Sequence, residues 1–441
     1  MKYSTGPLPR QPTCSTQTRP LALDQVSPEE MLQFYQRLFP YRYFFQWLNH
    51  SPSPSPDFTH REIAFTLQSD IYSRYNSFKG YEDFKKEVLR LNPLRFEIGP
   101  QYTANPRDKK LLRKGAFRPL TKELVFDIDL TDYDEIRTCC SKTQICIKCW
   151  QFITVAIRTM TLGLKEDFGF KNIIWIFSGR RGAHAWVCDK RARELDDQKR
   201  RAIAHYFALS RNGTTVKKRM NLKRPLHPHI SRSLEILKDD FQVNILEEQD
   251  PWETNDGENI LLNLLPERNT ELNKELRAFW LDNPGRTSYK KWKDIDDFAK
   301  KGVQKNLSTK ELQYAKQDII LQYMYPRLDI EVSNKLNHLL KSPFVVHPKT
   351  GKVCVPIELD NYEDFDPEDV PTVDQLLNEI DSFNKELNES KDEMADIKIS
   401  DYEKTSLKIY IDYFAKFVKS VMEEEAEIKK TFSAGKRSLD F

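Results

Sequence analysis

The 441-residue sequence has only 14 glycines, no apolar run near the ~18–20 residues of a membrane-spanning helix, and no excess of charge of either sign. With 31% charged and 12% aromatic residues, the scarcity of glycine describes an ordinary soluble globular protein. The missing apolar run argues against a helical membrane span. The N-terminus MKYSTGPLPRQPTC lacks the apolar core of a secretory signal, so an intracellular protein is expected. Basic and acidic residues number 69 and 66, and the net charge of +3 leaves only their distribution to speak about partners. No internal repeat is found. Seven cysteines are present, four of them between positions 139 and 149. In a reducing compartment such a cluster points to a metal, not to disulfides.

The length suffices for two or three domains with an ample core. The first residues are rich in Pro, Ser and Thr without periodicity, and residues 1–28 are expected to form a disordered tail. Ser27-Pro28-Glu29-Glu30 has the pattern of a helix start, and two aromatic helical stretches follow through His50. After the SPSPSP linker at 51–56, HREIAFTLQSDIYSRYNSF (60–78) reads as strand followed by turn or helix. A first part of an α/β core is thus expected over 29–190 and a helical subdomain over 191–320. The core should resume over 321–365, before an acidic helical region at 366–441 that ends in a basic tail. The pattern predicts a helix over 150–168 and two strands about a turn in NIIWIFSGRRGAHAWVCD (172–189). A strand is expected in YPRLDIEV (325–332), and a hairpin turning at Lys349-Thr350-Gly351.

The stretch KELVFDIDLTDYD (122–134) carries the clearest chemistry. Leu124, Phe126, Ile128 and Leu130 alternate on one strand face, with Val125, Asp127 and Asp129 on the other. Two carboxylates so placed have Cα atoms roughly 6.5–7 Å apart, and they repel unless a positive group intervenes. A similar pattern recurs at Arg327-Leu328-Asp329-Ile330-Glu331. Three carboxylates on neighbouring strands suit hard divalent cations such as Mg²⁺ or Mn²⁺. Ser178-Gly179-Arg180-Arg181-Gly182-Ala183-His184 places two arginines between glycines, which suits a polyphosphate. Lys341 and His347 follow Asp329 as further cationic or donor groups. Together these residues describe a nucleoside triphosphate site. Cys139, Cys140, Cys146 and Cys149 include the C-x2-C spacing of structural zinc, although an adjacent Cys pair is less usual and a nearby His can replace one member. His227 and His229 have the spacing of a metal pair, but histidines bounded by prolines in a loop read as surface residues. The basic run over 105–120 reads as a solvated loop whose position, just before the DxD strand, makes nucleic-acid contact plausible. Aromatics over 34–47 read as core.

Two families fit a DxD strand. FDIDLT resembles the nucleophile motif of the haloacid dehalogenase superfamily, in which Asp127 would be a covalent nucleophile and Asp129 an acid/base. That reading leaves the cysteine cluster and the Arg-Arg turn unexplained, and Asp329 lacks a preceding Gly. A non-enzymatic alternative is a zinc-stabilised scaffold that only binds nucleic acid. The ordered set ELVFDIDLTDYD, CC-x5-CxxCW, IFSGRRGAHAWV and PRLDIEVSNKLNHLLKSPFVVHPKTGKVCVPI resembles the small catalytic subunits of eukaryotic DNA primases, of the archaeo-eukaryotic primase superfamily. Fungal members are the nearest, and the likeness spans roughly residues 30–360.

The resemblance implies an α/β primase fold (α+β): a mixed-sheet catalytic core with an inserted, mostly helical subdomain and a structural zinc motif at 139–149. It implies that Asp127, Asp129 and Asp329 bind two catalytic Mg²⁺ or Mn²⁺ ions. Ser178, Arg180, Arg181, His184, His338, Lys341 and His347 would hold the incoming nucleotide. Glu62 and Arg74 match a charged pair lining the same pocket, and all four cysteines match the zinc ligands. Implied partners are an iron–sulfur-containing large primase subunit, the catalytic and B subunits of DNA polymerase α, single-stranded DNA and NTPs. The implied location is the nucleus.

Overall fold

Ser27 opens the first helix as its sequence predicts: the Glu30 N–H donates to Ser27 Oγ at 3.2 Å and the Ser27 N–H to Glu30 Oε2 at 2.8 Å. The computed structural model describes residues 26–113, 115–209, 216–266, 270–302, 308–389 and 399–437. Of the tail expected over 1–28, residues 1–25 lie outside the described residues, as do residues 438–441 of the basic tail. Helices Pro28–Arg37 and Tyr41–Asn49 bury Phe34, Tyr35, Tyr41, Phe44, Phe45 and Trp47, so the 34–47 aromatics are core as expected, with Tyr43 half-buried.

Two sheets organise the core, and every described ladder is antiparallel. The first contains β1 (Arg61–Thr66), β2 (Tyr72–Asn76), β3 (Arg95–Tyr102) and β4 (Pro119–Thr121), in the order β2-β1-β3-β4. The second has the order β5-β7-β6-β9, from β5 (Leu124–Asp129), β6 (Ile173–Phe177), β7 (Gly182–Val187) and β9 (Pro356–Ile357). Strand β8 (Leu340–Lys341) returns to the first sheet, where Lys341 lies opposite Glu97 of β3. Sheet and helix are therefore combined as the fold class predicts. The 344–357 segment reverses where expected, with Val346 bridged to Val353 and Gly351 at φ +67°.

The entry to β5 is fixed from several sides. Arg61, fully buried at the start of β1, forks onto Glu123 at 2.8 and 3.2 Å and so joins the two sheets. Arg200, on helix Asp197–Phe207, donates to the carbonyls of Lys122 and Glu123. Helix Ile147–Glu166 packs against β5 and receives the Trp175 indole N–H on Thr161 at 2.9 Å. Between residues 190 and 324 the regular elements among the described residues are helices joined by loops, and include Pro228–Asp240, Ser288–Lys300 and Thr309–Met324.

Two expectations are corrected. Asp329 is not on a strand: it caps the short helix Ile330–Asn334, accepting from the Glu331 N–H at 3.0 Å. The segment still lies along β5, because the Asp329 N–H bonds to the Asp127 carbonyl at 3.2 Å and Ser333 Oγ to the Val125 carbonyl at 2.6 Å. These bonds use the β5 edge as a further strand would, while the Asp side chain satisfies a helix N-terminus. His229 is not a surface residue. It is buried, 3.1 Å from Asp167 Oδ2 and 2.9 Å from the Tyr325 hydroxyl.

Candidate metal and nucleotide site

The DxD strand places its carboxylates as the alternation predicts. Asp127 and Asp129 are half-buried on one face of β5, while Leu124, Phe126 and Ile128 are buried on the other. In the register with β7, Asp127 faces His184 and Asp129 faces Gly182. A Cβ at Gly182 would stand 2.3 Å from the Ile128 carbonyl oxygen, so only glycine permits this approach. Gly179 takes φ +84°, and a Cβ there would meet the His347 side chain at 2.6 Å. The glycines of the 178–184 turn thus let the arginines sit beside the carboxylates.

A cavity of about 270 Å³ opens between the two sheets. Its lining joins Asp127 and Asp129 to Ser178, Arg180, Arg181, His184, Lys341 and His347, the residues expected from sequence. Arg95 and Glu97, on β3, also line it. These two were missed. Their alternation with Phe96 and Ile98 marks a strand with a polar face, but nothing local says that this face meets the second sheet. A depression of about 1260 Å³ in the helical region, lined by Lys217, Arg219, Asn263 and Asp318 among others, is larger yet has no carboxylate pair of this kind. Asp329 and His338, expected in the same site, are not among the lining residues: the Asp329 N–H bonds to the Asp127 carbonyl at 3.2 Å, one residue's backbone away from the cavity, and the His338 carbonyl accepts from the buried Lys122.

Glu62 and Arg74 are not among the lining residues. They form an ion pair at 2.8 Å in which Glu62 is buried and Arg74 half-buried, and which the Tyr102 hydroxyl completes by donating to Glu62 Oε2 at 2.9 Å. Their link to the cavity runs through β2, where the Tyr72 hydroxyl donates to Glu97 at 2.6 Å.

The charges are unevenly balanced. Burial first, then Asp129 and Asp329, push the Asp127 carboxyl up to about 7, with Lys341 partly opposing them. For Asp129, burial is outweighed by hydrogen bonds from Arg181 and Thr131, and its carboxyl is held below the usual range. Arg181 Nε lies 2.7 and 3.0 Å from the two Asp129 oxygens, and Thr131 donates from both its N–H and its hydroxyl at 2.8 Å. A residue therefore takes part of the repulsion between the aspartates. Among the described residues Asp127 has no comparable hydrogen-bonded cation, and a half-buried carboxylate crowded by two others fits a divalent metal. His184 Nε2 is 3.4 Å from Asp127 Oδ1, yet burial and Lys341 lower its pKa to about 3. His347 is lowered similarly, by burial and then Lys341 and Arg180. In the free protein both are neutral donors or acceptors, not cations.

Four sulfurs gather on the segment after β5. The Sγ atoms of Cys139, Cys140, Cys146 and Cys149 all lie within 4.8 Å of one another. Tetrahedral zinc with Zn–S bonds of about 2.3 Å needs sulfurs roughly 3.8 Å apart, so the adjacent pair fits and no His is required. Arg137, whose side chain is fully buried, reaches Cys149 Sγ at 3.7 Å, and Gln249 Nε2 reaches Cys139 Sγ at 3.4 Å. Such donors offset the negative charge of four thiolates on one dication. Gln249 belongs to the helical region, so the cluster anchors that region to the end of the DxD segment.

Residues 126–359 match the family model described as DNA primase small subunit. The chain is 55% identical over 358 residues to the DNA primase small subunit of Schizosaccharomyces pombe, covering 81% of this chain and 78% of that one. To the Saccharomyces cerevisiae protein of the same name it is 45% identical over 403 residues, covering 90% and 93%. The Drosophila melanogaster protein is 39% identical over 421 residues, covering 92% and 94%. The phosphatase and scaffold readings find no support in these likenesses. Among the described residues no helix is long and apolar enough to cross a membrane. The extent and identity of these matches establish that the chain belongs to the DNA primase small subunit family.

Proposed function

We propose that the chain synthesises short RNA primers on single-stranded DNA, as a DNA-directed RNA polymerase, by attack of a primer 3′-hydroxyl on the α-phosphate of an incoming NTP. The observation that carries this reading is the cavity where the crowded carboxylates of β5 face Arg180, Lys341 and the 178–184 turn. Asp127, Asp129 and Asp329 would hold two Mg²⁺ or Mn²⁺ ions, which supply Lewis-acid activation of the hydroxyl and charge stabilisation of the leaving pyrophosphate. Arg180 and Lys341 bind triphosphate oxygens, and the glycine-flanked turn lets backbone N–H groups approach them. Arg181 fixes Asp129, and neutral His184 and His347 act as hydrogen-bond partners. Glu62 and Arg74 act one step behind the cavity wall, through the sheet. Base pairing with the template selects the nucleotide. The four cysteines hold structural zinc. A large, iron–sulfur-containing primase subunit and the catalytic and B subunits of DNA polymerase α are the proposed partners, in the nucleus. The proposed division keeps a core at 29–190 and 321–365, with a helical subdomain between.

The test uses the purified chain with its large partner, poly(dT), ATP and Mn²⁺. Oligoadenylate should form, and Asp127→Ala or Asp129→Ala should abolish it while zinc stays bound. Full synthesis by both variants would contradict the metal assignment. A phosphatase would instead form an acylphosphate on Asp127, and a scaffold would show no metal-dependent nucleotide binding.

A further inference from the structure

Beside the Glu62–Arg74 pair the first sheet carries aromatic and basic groups that the catalytic cavity does not use. The ring of Tyr102 stacks on Phe117 with centroids 4.1 Å apart and planes at 9°, and Tyr75 meets Phe117 edge-on at 6.0 Å. Tyr75 and Phe117 are half-buried. Lys109 Nζ stands 3.5 Å from the Tyr75 ring centroid, and the Arg74 guanidinium 5.0 Å from the same ring. Tyr75 is held at φ +63°, with its N–H on Glu62 at 3.1 Å. Around this cluster Arg107, Lys109, Lys110, Arg113 and Arg118 are exposed, with Asp108 the one acid over 105–120. The turn at Pro106–Leu111 that carries several of them also presents Leu111, 85% exposed.

The cluster is continuous with the cavity. Tyr102 and Arg74 both bond to Glu62, Tyr72 bonds to Glu97, and Glu97 lines the cavity opposite Lys341. Ala64, two residues from Glu62 on β1, lies directly opposite Glu97, so Glu62 and Glu97 share one sheet face. Tyr102 is five residues along β3 from Glu97, across a bulged stretch, so at most about 16 Å at the rise of a strand. That length spans several nucleotides of a single strand.

Half-buried rings interleaved with exposed cations, beside a sheet that leads to the proposed triphosphate cavity, have the chemistry of a sequence-tolerant single-strand track. We propose that the Tyr75–Phe117 cluster and the basic 107–118 segment bind single-stranded DNA and lead the template to the catalytic cavity. The bases stack on Phe117 and Tyr75, and Lys109, Lys110, Arg113 and Arg118 meet the phosphates. This assignment rests on the primer-synthesis reading for its direction but not for its binding chemistry.

The test measures anisotropy of fluorescent oligo(dT) on the full chain across a series of salt concentrations. Combining Lys109→Ala, Lys110→Ala, Arg113→Ala and Arg118→Ala should weaken binding about tenfold or more at low salt, and reduce the slope of log affinity against log salt by about 3, at ~0.7 per lost phosphate contact. Phe117→Leu, which keeps an apolar side chain against Tyr102, should weaken binding about fivefold or more without changing that slope. Both variants should bind ATP in Mn²⁺ as the unaltered chain does. Unchanged affinity and slope in the charge variant would overturn the proposal, as would a chain that binds no oligo(dT). Loss of Mn²⁺-dependent ATP binding in the unaltered chain would instead overturn the primer-synthesis reading and leave the track standing.

Discussion

Asp129 shares its charge with Arg181, whose Nε lies 2.7 Å from Oδ1, while Asp127 is left crowded by the carboxylates of Asp129 and Asp329. The DxD spacing makes the repulsion legible in the sequence. The partner is not legible, because Arg181 is 52 residues away and reaches Asp129 only through the β5–β7 register. In the proposed mechanism Arg181 positions a metal ligand, and its removal should be felt in the reaction more than in folding. A hydrogen bond to a charged group contributes ~1.5–3 kcal/mol, so Arg181→Gln should lower primer synthesis about 10–150-fold. Its melting temperature should stay near that of the unaltered chain. Initial rates with saturating Mn²⁺ and ATP measure this, and an undiminished rate would remove Arg181 from the site. Arg95 and Glu97 show the same limit on reading from sequence. Their strand is recognisable from its alternation, but the element opposite, β8, comes more than 200 residues later.

At the level of elements, β5 was legible because alternation with a turn on either side leaves one reading. The 325–332 segment was not, since its alternating pattern suits a strand while Asp329 also suits a helix cap; the β5 edge takes its N–H and the short helix its carboxylate. His229 is a second case. A proline-bounded histidine looks exposed in sequence, yet it packs against Tyr206, Phe207 and Tyr325, close to Gly163, where a Cβ would meet its ring at 2.9 Å. Burial, with Arg232 adding to it and Asp167 opposing, lowers its pKa from 6.5 to about 4. The unfolded chain takes up a proton as pH falls below about 6.5, whereas the native histidine does not until about 4. Stability from this group is therefore complete above pH 6.5 and lost progressively down to about 4. Thermal unfolding followed from pH 7 to 4 should fall less steeply in His229→Gln than in the unaltered chain. Identical slopes would show that His229 is not buried neutral.

Across the whole molecule, the acidic C-terminal region proved to be part of the packing. Helix Val373–Glu389 packs against Pro28–Arg37, and helix Lys408–Arg437 against Tyr41–Asn49. Phe414 meets Trp47 and Phe344, and Arg193 is buried against Glu425. The sequence marked this region as helical but left its place open, because an amphipathic helix names its apolar face and not the surface that covers it. Leu407, Ile411, Phe414, Val418 and Val421 are all buried. Losing several such side chains at ~2–5 kcal/mol each exceeds the ~5–15 kcal/mol of a typical native state. A chain ending before Leu407 should fail to give soluble, cooperatively melting protein, and one that melts at the original temperature would contradict this packing. The proposed mechanism stands on the β5 carboxylates and the cationic turn forming one metal and nucleotide site. Anomalous diffraction at the manganese edge, from crystals grown with Mn²⁺ and a non-hydrolysable ATP analogue, reads that site out. Manganese peaks should appear beside Asp127, Asp129 and Asp329, with the triphosphate against Arg180 and Lys341. Analogue bound with no manganese at these carboxylates would contradict it.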